Sequence, residues 1–420
     1  MKNILKSKLV GNTAIYALAN VLNGVIPFLL LPVLTRVFTP EEYGLVTLIS
    51  AVIAIISAFT GLSVHGAVSV KYFDKEIDHP KFVGASLMVL AGSTCLVLVF
   101  LLVAGGELSE WIHLPKQWLI IAAIASAAQF VINIRLTMWQ VQDQAMRYGF
   151  FQVTQTFFNL SLSLALVFWM MMGWEGRAWG IVAAAVIFAG FAMITLHKEK
   201  LVDWQGDKKY AKSAIYFGVP LIPHVVGGLM MAISDRIVLN SLLDLKSVGN
   251  YSVGIQMAVA IGVLADAVSR SYGPYLLKTL ANKSVEKEGL IVRNTYIIFI
   301  FFFLSALIYS FLLPWIYLIF VGKSFHESLE IARIASFGYA FQGMYYAISN
   351  FLFYREKTGR LSMLTFGCGI LNVGMTYWFV NLAGMVGAVW SFLLLQIIFF
   401  LGAWFLAQRV HPMPWFKNTF

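Results

Sequence analysis

The side chains of this sequence that could do chemistry lie almost all inside long apolar runs. Arg135 sits in QFVINIRLTMWQ, towards the end of its run. A guanidinium there can hold a phosphate in two-pronged fashion. The plainer alternative is that it snorkels to lipid headgroups. Asp235 and Arg236 stand side by side in MMAISDRIVLN. Neighbouring helical residues diverge by about 100°, so they need not bond each other, and they read either as anchors of a helix end or as a gate. His224 follows Pro223, His65 lies near the end of another apolar run, and Asp266 precedes Arg270 by four residues. Each histidine reads as a packed, hydrogen-bonded group or as a proton carrier. Asp266 reads as an i,i+4 ion pair or as a carboxylate that takes up a cation. Asn20, Asn23, Asn159 and Asn372 can line a polar cavity or join helices. Tyr16, Trp139, Tyr216 and Tyr345 offer faces on which a sugar could stack.

Other chemistry is not expected. The chain has no phosphate loop of the GxxxxGK[ST] type, no HExxH and no GxSxG. Neither ATP hydrolysis nor another enzymatic activity is therefore anticipated, and no cofactor is called for. Cys95 and Cys368 lie in separate apolar runs and read as packing residues.

These residues need elements to position them, and composition says which. Hydrophobic residues make up 60% of the 420 and charged ones 12%, where soluble domains carry about 25% charged. The mean hydropathy is +0.79. The apolar runs do not alternate, so an all-α, polytopic membrane protein is predicted and a β-barrel is not. Twelve runs stand out, at about 10–35, 44–69, 82–104, 117–138, 148–172, 178–197, 213–240, 248–272, 294–320, 331–353, 361–380 and 384–407. The basic start with Lys2, Lys6 and Lys8 leads into a full-length run, so no cleaved signal peptide is expected.

An even number of spans puts both termini on one side. Most of the 30 Lys and Arg then share that side, in groups such as Lys71–Lys81, Lys198–Lys212, Arg270–Arg293 and Arg355–Arg360. By the positive-inside rule it is cytoplasmic. The formal charge of +10 is thus spread over short loops and forms no nucleic-acid stripe.

The chain also repeats itself. Ala14-Ile15-Tyr16 returns as Ala214-Ile215-Tyr216, and each half opens on a proline-broken run, with Pro27 and Pro32, then Pro220 and Pro223. The turns around Gly44 and Gly249 correspond. In the fifth run of each half, Arg147 and Asn159 keep the spacing of Arg360 and Asn372, and Gly180 corresponds to Gly387. Two parallel six-helix bundles follow, at 1–200 and 201–420. Such duplication usually means alternating access around a cavity between the halves.

The opening NTAIYALANVLNGVIPFLLLPVLTRVFTPEEYGLVTL (Asn12–Leu48), the stretch SDRIVLNSLLDLKSVGNYSVG (Ser234–Gly254) and the paired segments at Arg147 and Arg360 carry a resemblance over essentially the whole chain. The sequence resembles the bacterial flippases for undecaprenyl-diphosphate-linked polysaccharide repeat units. These are the Wzx-type, polysaccharide-transporter branch of the multidrug/oligosaccharidyl-lipid/polysaccharide exporter superfamily. The resemblance implies a V-shaped pair of six-helix bundles in the inner membrane, both termini cytoplasmic. It implies a lipid-linked oligosaccharide moved between leaflets for O-antigen or other surface polysaccharide, driven by a Na+ or H+ gradient. Membrane lipids and other polysaccharide-assembly proteins would be its partners. On that reading Arg135, Arg236, Asn23, Asn159, Asn372 and His224 are candidates for substrate binding, and Asp266, Asp235 and His65 for ion coupling. A drug or cation antiporter of the same superfamily would share the fold, but it would favour acidic residues in the first six spans, which hold none. A membrane-embedded glycan polymerase or ligase would need a large outer loop.

Overall fold

The computed structural model describes residues 28–205, 207–281, 285–355 and 358–415, together with 15, 18–19 and 22–24. Most of the expected first span, with Tyr16 and Asn20, lies outside the described residues, as do the two termini. Among the described residues the secondary structure is helical with no strand. Nine helical stretches there are long and apolar enough to cross a bilayer.

The chain is a multi-pass, all-α membrane protein, and its helices fall into two compact units. Unit 1 holds the described residues up to Val33 and Leu45–Val226; unit 2 holds Leu34–Gly44 and the residues from Gly227 onward.

Local sequence explains where the helices begin and break. Helix α1 is Leu31–Val37 and α2 is Pro40–Phe59. Thr39 caps α2 reciprocally: its amide donates to Glu42 Oε2 at 3.0 Å, and the Glu42 amide donates to Thr39 Oγ1 at 3.3 Å. After Phe59 the helix stops at Thr60–Ser63, where Gly61 takes φ 74°. The freed Gly61 amide donates to Ser93 Oγ at 2.8 Å. A side chain at Gly61 would run into the Phe130 ring. The direction resumes as α3, His65–Lys71.

Helix α4 spans His79–Ile112, capped by Asp78 with Pro80 in its first turn, and it ends at His113 in the left-handed conformation. Helices α5 (Lys116–Val141), α6 (Ala145–Phe168) and α7 (Gly173–Lys198) follow on short turns. Helix α5 is the spine of unit 1. Towards one end Trp118, Leu119 and Ala122 pack with Ile49, Val52 and Ala178. Towards the other, Phe130, Ile134 and Met138 pack with Phe82, Leu196 and Val202.

Helix α8 (Lys208–Gly218) meets α9 (Ile222–Leu242) across a 3-10 turn at Val219–Leu221. Pro220 and Pro223 explain the break, since a proline removes a helical donor and crowds the preceding turn. Unit 2 continues with α10 (Leu245–Ala281), α11 (Val285–Phe320), α12 (Leu329–Tyr354) and α13 (Thr358–Val410). Helix α13 contains two of the predicted spans, which meet at Ala383–Gly384, where the backbone leaves helical geometry.

Leu34–Gly44 is built into unit 2. Arg36 Nη2 donates to the Ile319 carbonyl at 2.6 Å, and the Gly322 amide donates to Thr35 Oγ1 at 3.0 Å. Tyr43 meets Phe325 edge-on at 5.6 Å. The glycines of the two corresponding turns meet here: a side chain on Gly44 would strike the Leu245 carbonyl, and one on Gly249 the Pro40 carbonyl.

Candidate functional site

Among the described residues of unit 1, two groups of polar side chains stand out. The first lies at the end carrying the lysine-rich segments near Lys71–Lys81 and Lys198–Lys212. Arg135 projects from the last turns of α5 and is 0% exposed. It does not snorkel outward. Its Nη2 donates to Glu199 Oε2 at 2.6 Å, and its guanidinium lies over the Trp139 ring at 4.0 Å. A buried guanidinium is costly unless an anion and a π-face replace water. Glu199 follows the last residue of α7, and its other oxygen accepts from Arg147 Nη1 at 3.0 Å. That nitrogen also reaches Gln144 Oε1 at 3.0 Å. Two arginines therefore share one carboxylate.

The second group is a polar stripe on α6. Gln152, Thr156, Asn159 and Ser163 recur at intervals of three or four, so they share a face. Thr156 Oγ1 donates to Asn23 Oδ1 at 2.5 Å. Arg177, in the first turns of α7, donates to Asn159 Oδ1 at 2.5 Å and to Ser163 Oγ at 2.7 Å. Facing α6 on α5, Gln129 accepts from Gln155 at 3.4 Å and donates to Asn133 at 3.2 Å. The spacing of this stripe is readable in the sequence, although the candidates drawn from it comprise only Asn159. Arg177, one residue outside the predicted run at 178–197, belongs to α7. His65 stands apart, just past the break after α2: its ring meets Phe130 edge-on at 5.6 Å, and Nδ1 has no partner among the described residues.

In unit 2, Asn372 on α13 donates through Nδ2 to the Met230 carbonyl at 2.9 Å and to Ser234 Oγ at 3.0 Å, tying α13 to α9. Thr376, four residues on, bonds Ser391 Oγ at 3.1 Å. Next to Ser234, Asp235 is 6% exposed and Arg236 16%. Although neighbours on a helix need not pair, Arg236 Nη1 reaches Asp235 Oδ1 at 3.1 Å. The other oxygen accepts from the Tyr251 hydroxyl at 2.5 Å. Both oxygens of Asp235 are thus engaged, and Tyr251 on α10 is a partner that sequence spacing could not reveal. His224 is exposed just beyond the break before α9. Asp266 and Arg270 form an exposed pair on α10, Arg270 Nε to Oδ2 at 2.9 Å.

The arrangement offers buried charge, amide donors and hydroxyls inside apolar helices, and comparison with known proteins gives it context. The solved structure of the lipid II flippase MurJ in an inward closed conformation has a similar fold, with TM-score 0.71 and 12% identity, covering 95% of this chain and 87% of that one. An inward-facing multidrug resistance MATE family transporter of the MOP superfamily gives TM-score 0.67 at 16% identity, with 94% of both chains covered. In sequence, the chain is 23% identical over 413 residues to Lsg locus putative protein 1 of Haemophilus influenzae, covering 94% of this chain and 98% of that protein. It is 25% identical over 334 residues to the capsular polysaccharide biosynthesis protein CapF of Staphylococcus aureus, covering 77% and 80%. Residues 9–280 match the family model described as polysaccharide biosynthesis protein, and the chain belongs to that family.

Proposed function

We propose that this protein is a flippase for undecaprenyl-diphosphate-linked oligosaccharide repeat units. It carries them from the cytoplasmic to the periplasmic leaflet of the inner membrane by ion-coupled alternating access, for O-antigen or another surface polysaccharide. The lysine-rich end of unit 1 is then cytoplasmic, as are both termini. The observation that carries the reading is the stripe Gln152–Thr156–Asn159–Ser163 with Arg177 in a chain of a polysaccharide biosynthesis family. Amides and hydroxyls inside an otherwise apolar helix are costly in lipid, and they match the donors and acceptors of a glycan. The fold of a lipid II flippase supports the same reading. Arg135 and Arg236 supply cationic character, and Asn23, Asn372 and His224 further polar contacts. Of the ion-coupling candidates, His65 fits proton exchange best, because one ring nitrogen has no partner among the described residues. Asp235 is already neutralised by Arg236, and Asp266 by Arg270.

Deletion of the gene tests the reading. Complete, unpolymerised lipid-linked units should then accumulate on the cytoplasmic leaflet. Single units exported but left unpolymerised would instead indicate a polymerase. The likeness to a multidrug transporter favours one alternative, a drug or cation antiporter. On that reading, deletion would raise drug susceptibility and leave surface glycan intact.

A further inference from the structure

Glu199 stands where α7 ends and the connection to α8 begins, and it holds two guanidinium groups with one carboxylate. Arg135 is closed off, with Nε and Nη1 buried and without hydrogen-bond partners among the described residues. Glu199 and Arg147 form the open side of the cluster, 33% and 60% exposed. A carboxylate has too few oxygens to satisfy both arginines. A diphosphate has more oxygens and more charge, and the arginine fork matches its geometry.

The connection that Glu199 starts is held to the rest of unit 1 at Asp203, and α8 after it at Tyr210. The Asp203 amide donates to the Pro80 carbonyl at 3.0 Å, and the Asp78 amide donates to the Tyr210 hydroxyl at 3.1 Å. Val202, between Glu199 and Asp203, is buried among Phe82, Ile134 and Leu196.

From this geometry we infer that Arg135 and Arg147 form a diphosphate-binding site in which Glu199 is the resident competitor. An incoming diphosphate displaces the Glu199 carboxylate, which moves into water on its open side. Because Glu199 is the first residue of the connection, its release loosens the stretch through Val202. Occupancy of the site is thereby passed to the segment joining the two repeats. The inference rests on the reading of the substrate as a diphosphate-linked lipid.

The test uses full-length protein in phosphatidylcholine nanodiscs, with Cys95→Ala, Cys368→Ala and Val202→Cys. Inorganic pyrophosphate is the probe, with calorimetry and maleimide labelling of position 202 as readouts. Pyrophosphate should bind and accelerate labelling several-fold. Glu199→Gln should bind it more tightly and label fast without it. Arg147→Ala, at an exposed position that folding tolerates, should weaken binding at least about tenfold, the scale of one lost charge-assisted hydrogen bond. Absence of pyrophosphate binding, or binding with unchanged labelling in both wild type and Glu199→Gln, overturns the inference. If nanodiscs containing phosphatidylglycerol accelerate labelling while pyrophosphate does not, the ligand is a bilayer headgroup and the diphosphate assignment fails. The flippase reading fails separately: gene deletion would leave export intact while pyrophosphate binding persists.

Discussion

Asn159 in unit 1 and Asn372 in unit 2 hold matching places in the repeat, each followed four residues later by a hydroxyl, Ser163 or Thr376. Their surroundings have diverged. Asn159 accepts from a cation, Arg177, whereas Asn372 donates to a carbonyl and a hydroxyl on α9. In unit 2 the charge stands one residue beyond that hydroxyl, as the Asp235–Arg236 pair closed by Tyr251. The polar position recurs on the two helices, but the group that meets it differs. Unit 1 joins its polar stripe through a cation, and unit 2 joins its helices through neutral bonds beside a self-compensated ion pair.

The sharpest way to break this comparison is to remove one partner of the pair. Asp235→Ala leaves Arg236 buried without its counter-ion and should cost about 3–5 kcal/mol. Thermal unfolding of the detergent-solubilised protein would register it as the largest loss among the variants considered. In unit 1, Arg177→Ala removes the donor to Asn159 and Ser163 but leaves those two bonded to each other. Its expected cost is about 1–3 kcal/mol. If Arg177→Ala proved the more damaging, the charge in unit 1 would be the more structural of the two.

The corresponding glycines sharpen the contrast. A side chain on Gly387 would strike the Phe379 carbonyl, and one on Gly180 the Ser163 side chain as well as its Cα. Backbone yields less readily than a side chain, so both alanine variants should destabilise, by about 1–3 kcal/mol, with Gly387→Ala the worse. Ser163→Gly should rescue part of the Gly180→Ala loss. No second-site change at residue 379 should rescue Gly387→Ala, because the obstacle there is the main chain. Melting temperatures of the four variants decide this.

Sequence alone carries the helical membrane fold and the limits of most spans, because each depends on hydropathy and spacing within one segment. It also carries the polar face of α6. The partners across helices are not carried. Arg135 lies 64 positions from Glu199, and no periodicity links a residue of α5 to the first residue beyond α7. Tyr251 reaches Asp235 only because α9 and α10 pack side by side. Leu34–Gly44 reads as an ordinary turn of the first half, yet it is built into unit 2 through close approaches to Leu245 and Gly322 that only the folded chain reveals.

The smallest effect is expected at Asp266, the exposed counterpart of the buried Asp235. Its oxygen meets Arg270 one turn away, at 2.8 Å from Nη2, with both side chains about half exposed. Such i,i+4 pairs contribute about 0.3–0.5 kcal/mol, so Asp266→Asn should leave the melting temperature nearly unchanged. The variant therefore separates two roles that Asp235 cannot separate, because Asp235 variants unfold the site they test. Glycan export by Asp266→Asn at wild-type stability would assign this carboxylate to the helix surface alone. Loss of export at unchanged stability would make Asp266 the coupling carboxylate, and unit 2 would then hold one acid for structure and another for transport.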